Sequence, residues 1–135
     1  MTGEDFFILK GGGYILGFID YLKKVRDGYV VNQVNHIKFP IFKPSPIVRN
    51  RLIFSGRVQK VGFRLETYEL AKRLGLTGWV KNRADKNVEA EIQGEDAKIL
   101  FLINYLKSLK RASVSDVEIQ EMSLADDEKS FMVIK

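Results

Sequence analysis

The chain contains no cysteine. Disulfides, thiolate metal sites and cysteine nucleophiles are therefore excluded. Histidine is nearly absent as well: His36 stands alone, which argues against a histidine metal centre and leaves it a structural or exposed role. No apolar run reaches the ~18 residues that a membrane span needs. The opening stretch Met1-Thr2-Gly3-Glu4-Asp5 is acidic where a secretory leader is basic. These features predict a cytoplasmic protein with no membrane span. Proline is scarce too, and its three copies all fall between Phe39 and Pro46.

The 135 residues are 45% hydrophobic and 29% charged, the balance of an ordinary globular protein. The net charge of +5 is spread along the chain. Residues 1–49 hold seven basic and four acidic side chains, and residues 50–135 hold fifteen and thirteen. Neither part is a basic tail, so nucleic acid is not favoured as a partner. A modest positive excess suits an anionic small molecule if the charge is focused at one place.

Clustered proline disfavours helix and central strand, so Phe39–Pro46 reads as an extended connector. It separates an N-terminal extension, residues 1–49, from a domain spanning residues 50–135. In that domain Arg51–Gly56 reads as a strand with Leu52 and Phe54 on one face. Phe63, Thr67, Leu70, Ala71 and Leu74 keep helical spacing, and Gly75 stands at the helix C-terminus. Thr77–Asn82 and Val88–Gln93 read as paired strands around a turn at Asp85-Lys86-Asn87. A second helix runs from Glu95 to about Lys110 with Ile99, Leu102, Ile103 and Leu106 as its buried stripe. Val114–Met122 and Phe131–Ile134 supply two more strands. The order β-α-β-β-α-β plus a C-terminal strand predicts an α+β, ferredoxin-like sandwich: an antiparallel sheet with both helices on one face. In the extension, Phe6–Leu9 reads as a short strand. Tyr14–Arg26 reads as an amphipathic helix whose stripe of Ile15, Phe18, Ile19, Leu22 and Val25 packs on the domain.

The chemistry concentrates in Gly56-Arg57-Val58-Gln59-Lys60-Val61-Gly62-Phe63-Arg64, which leaves a strand and opens a helix. Such a turn can present successive backbone N–H groups to one anion, and the helix start adds a positive dipole end. Arg64 falls in the first helical turn, where its planar fork of donors suits two phosphate oxygens. The residues thus predict a phosphate cradle with a guanidinium clamp.

This stretch resembles the signature of the acylphosphatase family, a glycine-rich loop ending in Phe-Arg after the first strand. Gly75-Leu76-Thr77-Gly78-Trp79-Val80-Lys81-Asn82 resembles the family's second signature, and the two blocks stand in its order and spacing. The resemblance covers about residues 50–135. It implies a hydrolase that splits the carboxyl–phosphate bond of small acyl phosphates, releasing carboxylate and inorganic phosphate, with no metal and no cofactor. It also implies roles. Arg64 binds the phosphate, Asn82 positions the attacking water, and the backbone of Gln59, Lys60, Val61, Gly62 and Phe63 completes the phosphate site. Lys60 stands where the family has glycine, and Lys86 replaces a turn glycine, for which Asn87 could carry the left-handed geometry.

The alternative reading is a non-catalytic phosphate- or partner-binding module of the same fold. Acylphosphatase-like domains also open larger carbamoyl-transferring proteins with zinc-binding domains, and this cysteine-free chain resembles the independent form more. The aromatics are not patterned as in RNA-recognition sheets. Arg57, Lys81 and Arg83 read as solvated charges that could also enrich the mouth of the site. Trp79 reads as a partly buried core aromatic, and Asp126-Asp127-Glu128 as a solvated loop. Gly11-Gly12-Gly13 lacks the residues of either nucleotide-binding loop and reads as a hinge. The natural substrate and the oligomeric state are not specified by the sequence.

Overall fold

Leu52 and Phe54 are buried while their neighbours Arg51 and Ile53 are not, and this alternation divides the sheet into an apolar face and a charged one. The structure, a computed structural model, describes residues 12–135, with side chains from residue 17 onward. In chain order it contains helix α1 (Gly12–Asn35), strand β1 (Ile47–Arg57), helix α2 (Phe63–Arg73), strands β2 (Thr77–Asn82) and β3 (Val88–Glu95), helix α3 (Asp96–Lys107), and strands β4 (Ser113–Met122) and β5 (Phe131–Ile134). The strands form one sheet in the order β4-β1-β3-β2-β5. The expected antiparallel pairing holds from β4 to β2. The edge strand β5 instead runs parallel to β2, with Gly78 opposite Phe131 and Lys81 opposite Ile134.

Leu52, Phe54, Val80, Val88, Ala90 and Ile92 form the apolar face and are fully buried. Helix α2 closes over it with Phe63, Thr67, Leu70 and Ala71, and α3 with Ile99, Leu102, Ile103 and Leu106, the stripe its spacing predicts. Each buried Leu, Ile or Phe contributes about 1.5–3 kcal/mol relative to an exposed position. Helix α2 stops at Gly75, whose φ of 70° suits the left-handed cap. There Gly75 N–H donates to Lys72 O (3.1 Å) and Leu76 N–H to Ala71 O (2.9 Å), satisfying two carbonyls of the last turn.

The opposite face is held by ion pairs. Glu89 is flanked by Arg51 (2.6 Å), Lys81 (3.8 Å) and Arg83 (3.9 Å). Arg49, only 5% exposed, pairs with Glu91 (2.9 Å) and Glu128 (2.8 Å). Glu128 is therefore not part of a simply solvated acidic loop; it closes the 123–130 segment onto the sheet. Trp79 is half-buried, but on this charged face rather than in the core, opposite Glu91 and with Lys81 Nζ 5.4 Å from its ring centre. Lys86 itself takes the left-handed conformation (φ 73°) in the β2–β3 turn, so the turn has not shifted onto Asn87.

The N-terminal extension departs furthest from expectation. Gly12 and Gly13 belong to the first turn of α1 rather than to a hinge, while Gly11, Phe6–Leu9 and the side chain of Ile15 lie outside the described residues. The helix runs well past Arg26, and its buried contacts come from Val30 and Val34, which join the core. The expected stripe is largely exposed: Phe18 51%, Leu22 49% and Val25 56%. The later turns of α1 enter the core through Val30 and Val34, whereas on the earlier turns Ile19, Leu22, Lys23 and Arg26 line an open surface hollow with Lys60. Arg73 of α2 anchors the helix end by donating to the carbonyls of Val34 and Ile37. The connector is extended, as its prolines require, and is also pinned. Phe39 and Phe42 pack edge-on against Phe101 of α3, and Ser45 Oγ accepts the Ala97 N–H (3.1 Å), capping that helix from outside.

Two outcomes follow for stability. In urea denaturation Val34→Ala lowers stability by about 1–3 kcal/mol, whereas Val25→Ala changes it by less than ~0.5 kcal/mol; equal effects would contradict the packing of α1. Burial pushes the Glu128 carboxyl up, but the hydrogen bonds from Arg49 and Thr77 and the Arg49 charge outweigh it and hold the group below its ordinary 4.5. Its contribution is thus present above 4.5 and lost as pH falls through the lowered folded value. Glu128→Gln should flatten the loss of stability in that acid range, read from denaturation midpoints against pH.

Candidate active site

The chain leaves β1 at Arg57 and enters α2 at Phe63, crossing from the sheet to the helical layer in five residues. Among the described residues, none of the N–H groups of Gln59, Lys60, Val61, Gly62 and Phe63 donates to a backbone carbonyl. Gly62 and Phe63 are buried, Gln59 and Val61 half-buried and Lys60 exposed, and such a run of unpaired donors at a helix start is suited to an anion. The crossing is tight. Lys60 has φ 63° and Gly62, the residue before the helix, φ 78°. A Cβ at Gly62 would also be tight, 3.2 Å from Arg26 Nε and 3.3 Å from Val30 Cγ2. Lys60 occupies the left-handed geometry that its family-like glycine would have adopted without strain.

Packing below the loop fixes its ends. Val58 is buried, and the Phe63 ring stacks edge-on against Phe54, with centres 5.1 Å apart. The Gln59 side chain spans to the β2–β3 turn, where Nε2 donates to Arg83 O (2.8 Å) and Asn87 O (2.9 Å). The loop is thereby tied to the residues that immediately follow Asn82.

Arg64 lies in the first turn of α2, where its Nη1 donates to Ile134 O of β5 at 3.4 Å. Among the described residues it forms no ion pair, so its charge is not neutralised by a carboxylate. Ile134 pairs with Lys81, the residue before Asn82. The guanidinium is therefore brought to the end of β2 that carries Asn82. Asn82 is opposite Val88, which is opposite Phe54, and strand alternation turns its side chain to the helical face. There Asn82 Oδ1 is buried and accepts no hydrogen bond from the protein. A buried acceptor without a partner is uncommon and calls for a functional explanation.

The loop, Arg64 and Asn82 thus gather at one end of the sheet. Arg57 is exposed, and Lys81 and Arg83 are drawn to Glu89 on the opposite face, so these two do not enrich the mouth of the site. His36 is exposed, its Nδ1 2.7 Å from Asn32 O at the end of α1. Among the described residues no cluster of His, Asp or Glu is arranged to hold a metal.

One group behind the loop was not evident from sequence. Glu66 is fully buried, accepting from Tyr105 Oη (2.6 Å) and pairing with Arg111 (2.8 Å). Burial first, and then the Glu66 carboxylate, push the Tyr105 hydroxyl well above its ordinary value, keeping it a donor. An available signal was Glu66 itself, three residues after Phe63 and four before Leu70 on the buried side of α2, where a carboxylate requires partners.

The acylphosphatase family model matches residues 50–133. An acylphosphatase of Picrophilus torridus is 53% identical over 57 residues, covering 42% of this chain and 70% of that protein. One from Rhizobium etli is 45% identical over 84 residues, covering 62% of this chain and 89% of that one. The crystal structure of acylphosphatase from Bacillus subtilis superposes with a TM-score of 0.61 at 30% identity, over 67% of this chain and all of that one (100%).

The geometry of Lys60 yields a test. Lys60→Gly should relieve the left-handed strain and raise stability by about 0.5–1 kcal/mol in urea denaturation. A loss of stability would show that the lysine side chain contributes more than its backbone costs.

Proposed function

The chain belongs to the acylphosphatase family, and from that premise we propose that the Gln59–Phe63 amides and Arg64 bind the phosphoryl group while Asn82 orients the attacking water. The chain is an acylphosphatase, a hydrolase of acyl phosphates. The observation that carries the assignment of roles is the run of unpaired N–H donors immediately before Arg64.

Two phosphate oxygens suit the fork of the Arg64 guanidinium, and the loop amides with the α2 dipole take the third. Water, held by Asn82 Oδ1, attacks phosphorus in line with the bridging oxygen. The water oxygen–phosphorus bond forms as the bond from phosphorus to the bridging oxygen breaks. That electron pair leaves on the carboxylate, which is stable without protonation. Asn82 is a neutral amide and cannot take up the water proton, so a phosphoryl oxygen or solvent receives it. Phosphoryl transfer of this loose kind depends mainly on alignment and charge stabilisation, both supplied here by the protein.

Because guanidinium, amides and helix dipole together balance the phosphoryl charge, the reaction proceeds without metal or cofactor. Every contact assigned here is to the phosphoryl group and none to the acyl part, which fits small acyl phosphates of several kinds. A cytoplasmic setting is part of this reading.

The test is phosphate release from benzoyl phosphate in EDTA. Arg64→Ala should raise KM and the inhibition constant for inorganic phosphate and lower kcat/KM by about 10²–10³. Asn82→Ala should lower kcat by a similar order, about 10²–10³, with KM little changed. Wild-type rates in both variants would overturn the assignment, and activity lost in EDTA would overturn metal independence.

A further inference from the structure

Resting on the cradle just described, a question remains of what turns its amides toward the ligand. The Val61–Gly62 peptide is trans, so its C=O and N–H point in opposite directions. Arg111 Nε donates to Val61 O at 2.8 Å from the side of the buried cluster. The same guanidinium donates through Nη2 to Glu66 Oε2 at 2.8 Å, and Glu66 is held in turn by Tyr105 Oη at 2.6 Å. We propose that Arg111 is a positioning residue: by fixing the Val61 carbonyl behind the loop, it aims the Gly62 N–H at the phosphoryl group.

Several observations agree on this peptide. Glu66 N–H donates to Gly62 O (3.0 Å), which directs that carbonyl into α2 and away from the ligand side. On the outer side, the Arg26 and Val30 side chains of α1 sit against Gly62, so close that an added Cβ would push them by a few tenths of an ångström. Tyr29, one residue earlier on the same helix, lies with its ring centre 5.8 Å from the Arg111 guanidinium carbon. The peptide is thus gripped by the Arg111–Glu66 ion pair behind and by α1 beside it. Glu66 is fully buried, so its pairing leaves Arg111 little freedom to swing away from Val61. Lys60, two residues upstream, holds positive φ without glycine's help, and a fixed Val61 carbonyl is one restraint that keeps it there.

The direct test uses the full chain labelled with ¹⁵N and titrated with inorganic phosphate at constant pH. The Gly62 amide proton should move downfield and saturate together with other amides of the loop. If the amides of Gln59 to Val61 respond and Gly62 does not, the aim of that peptide is wrong and the proposal falls, while the cradle stands. If no amide from Gln59 to Phe63 responds, the cradle itself is wrong and the role of Arg111 falls with it. A double variant, Glu66→Gln with Arg111→Met, removes the buried Glu66 charge together with its part-exposed partner and so leaves neither uncompensated. Once folded, it should show an inhibition constant for phosphate raised about tenfold, with KM raised in parallel and kcat changed less. Wild-type phosphate inhibition in that variant would mark Arg111 as only the counter-ion of Glu66. If that variant does not fold, Arg111→Lys replaces it: one ammonium keeps the charge beside Glu66 without the fork that also reaches Val61 O, so phosphate inhibition should weaken, and wild-type inhibition would overturn the proposal.

Discussion

A binding site built from main-chain amides is constrained by the carbonyls of the same peptides. Each N–H turned toward an anion carries a C=O turned away, and that oxygen must be accommodated or it pulls the loop back. In this chain the five-residue passage from β1 to α2 meets the constraint with neighbours rather than with its own secondary structure. Gln59 reaches across to the β2–β3 turn, Phe63 is wedged against Phe54, and Arg111 takes the Val61 carbonyl. The Gly62 carbonyl becomes the first acceptor of the helix. Remove these supports and a loop with positive φ at both Lys60 and Gly62 has little reason to keep its shape.

Charge is sorted between the two faces of the sheet to the same end. On the open face, arginines and lysines are matched to Glu89, Glu91 and Glu128, and their fields are largely spent there. On the helical side Arg64 has, among the described residues, only a carbonyl contact. A modest net charge spread along the sequence therefore becomes a localised one, and the α2 dipole reinforces it where the phosphoryl group is to sit.

Strong periodicity made the 50–135 region legible. The α3 stripe of Ile99, Leu102, Ile103 and Leu106, the Gly75 stop and the β5 segment Phe131–Ile134 appear in the structure as the spacing implies. Local motifs likewise located the loop, Arg64 and Asn82. Periodicity was misleading for α1: Phe18, Leu22 and Val25 form a helical stripe, yet they stay exposed, and Val30 and Val34 supply the buried contact. The direction of β5 was hidden because parallel or antiparallel pairing depends on the route of the connecting segment, not on alternation. Arg111 was hidden for a related reason. It lies 45 residues from Glu66 in a short loop after α3, and nothing in its surroundings marks it as a partner before the chain is folded.

The central claim is that the site holds the phosphoryl group and directs water to phosphorus. Hydrolysis of benzoyl phosphate in H₂¹⁸O, with mass analysis of both products, tests it most directly. Attack at phosphorus places the label in inorganic phosphate and none in benzoate. Label in benzoate would mean that water attacks the carbonyl carbon, which would contradict a cradle built for the phosphoryl group.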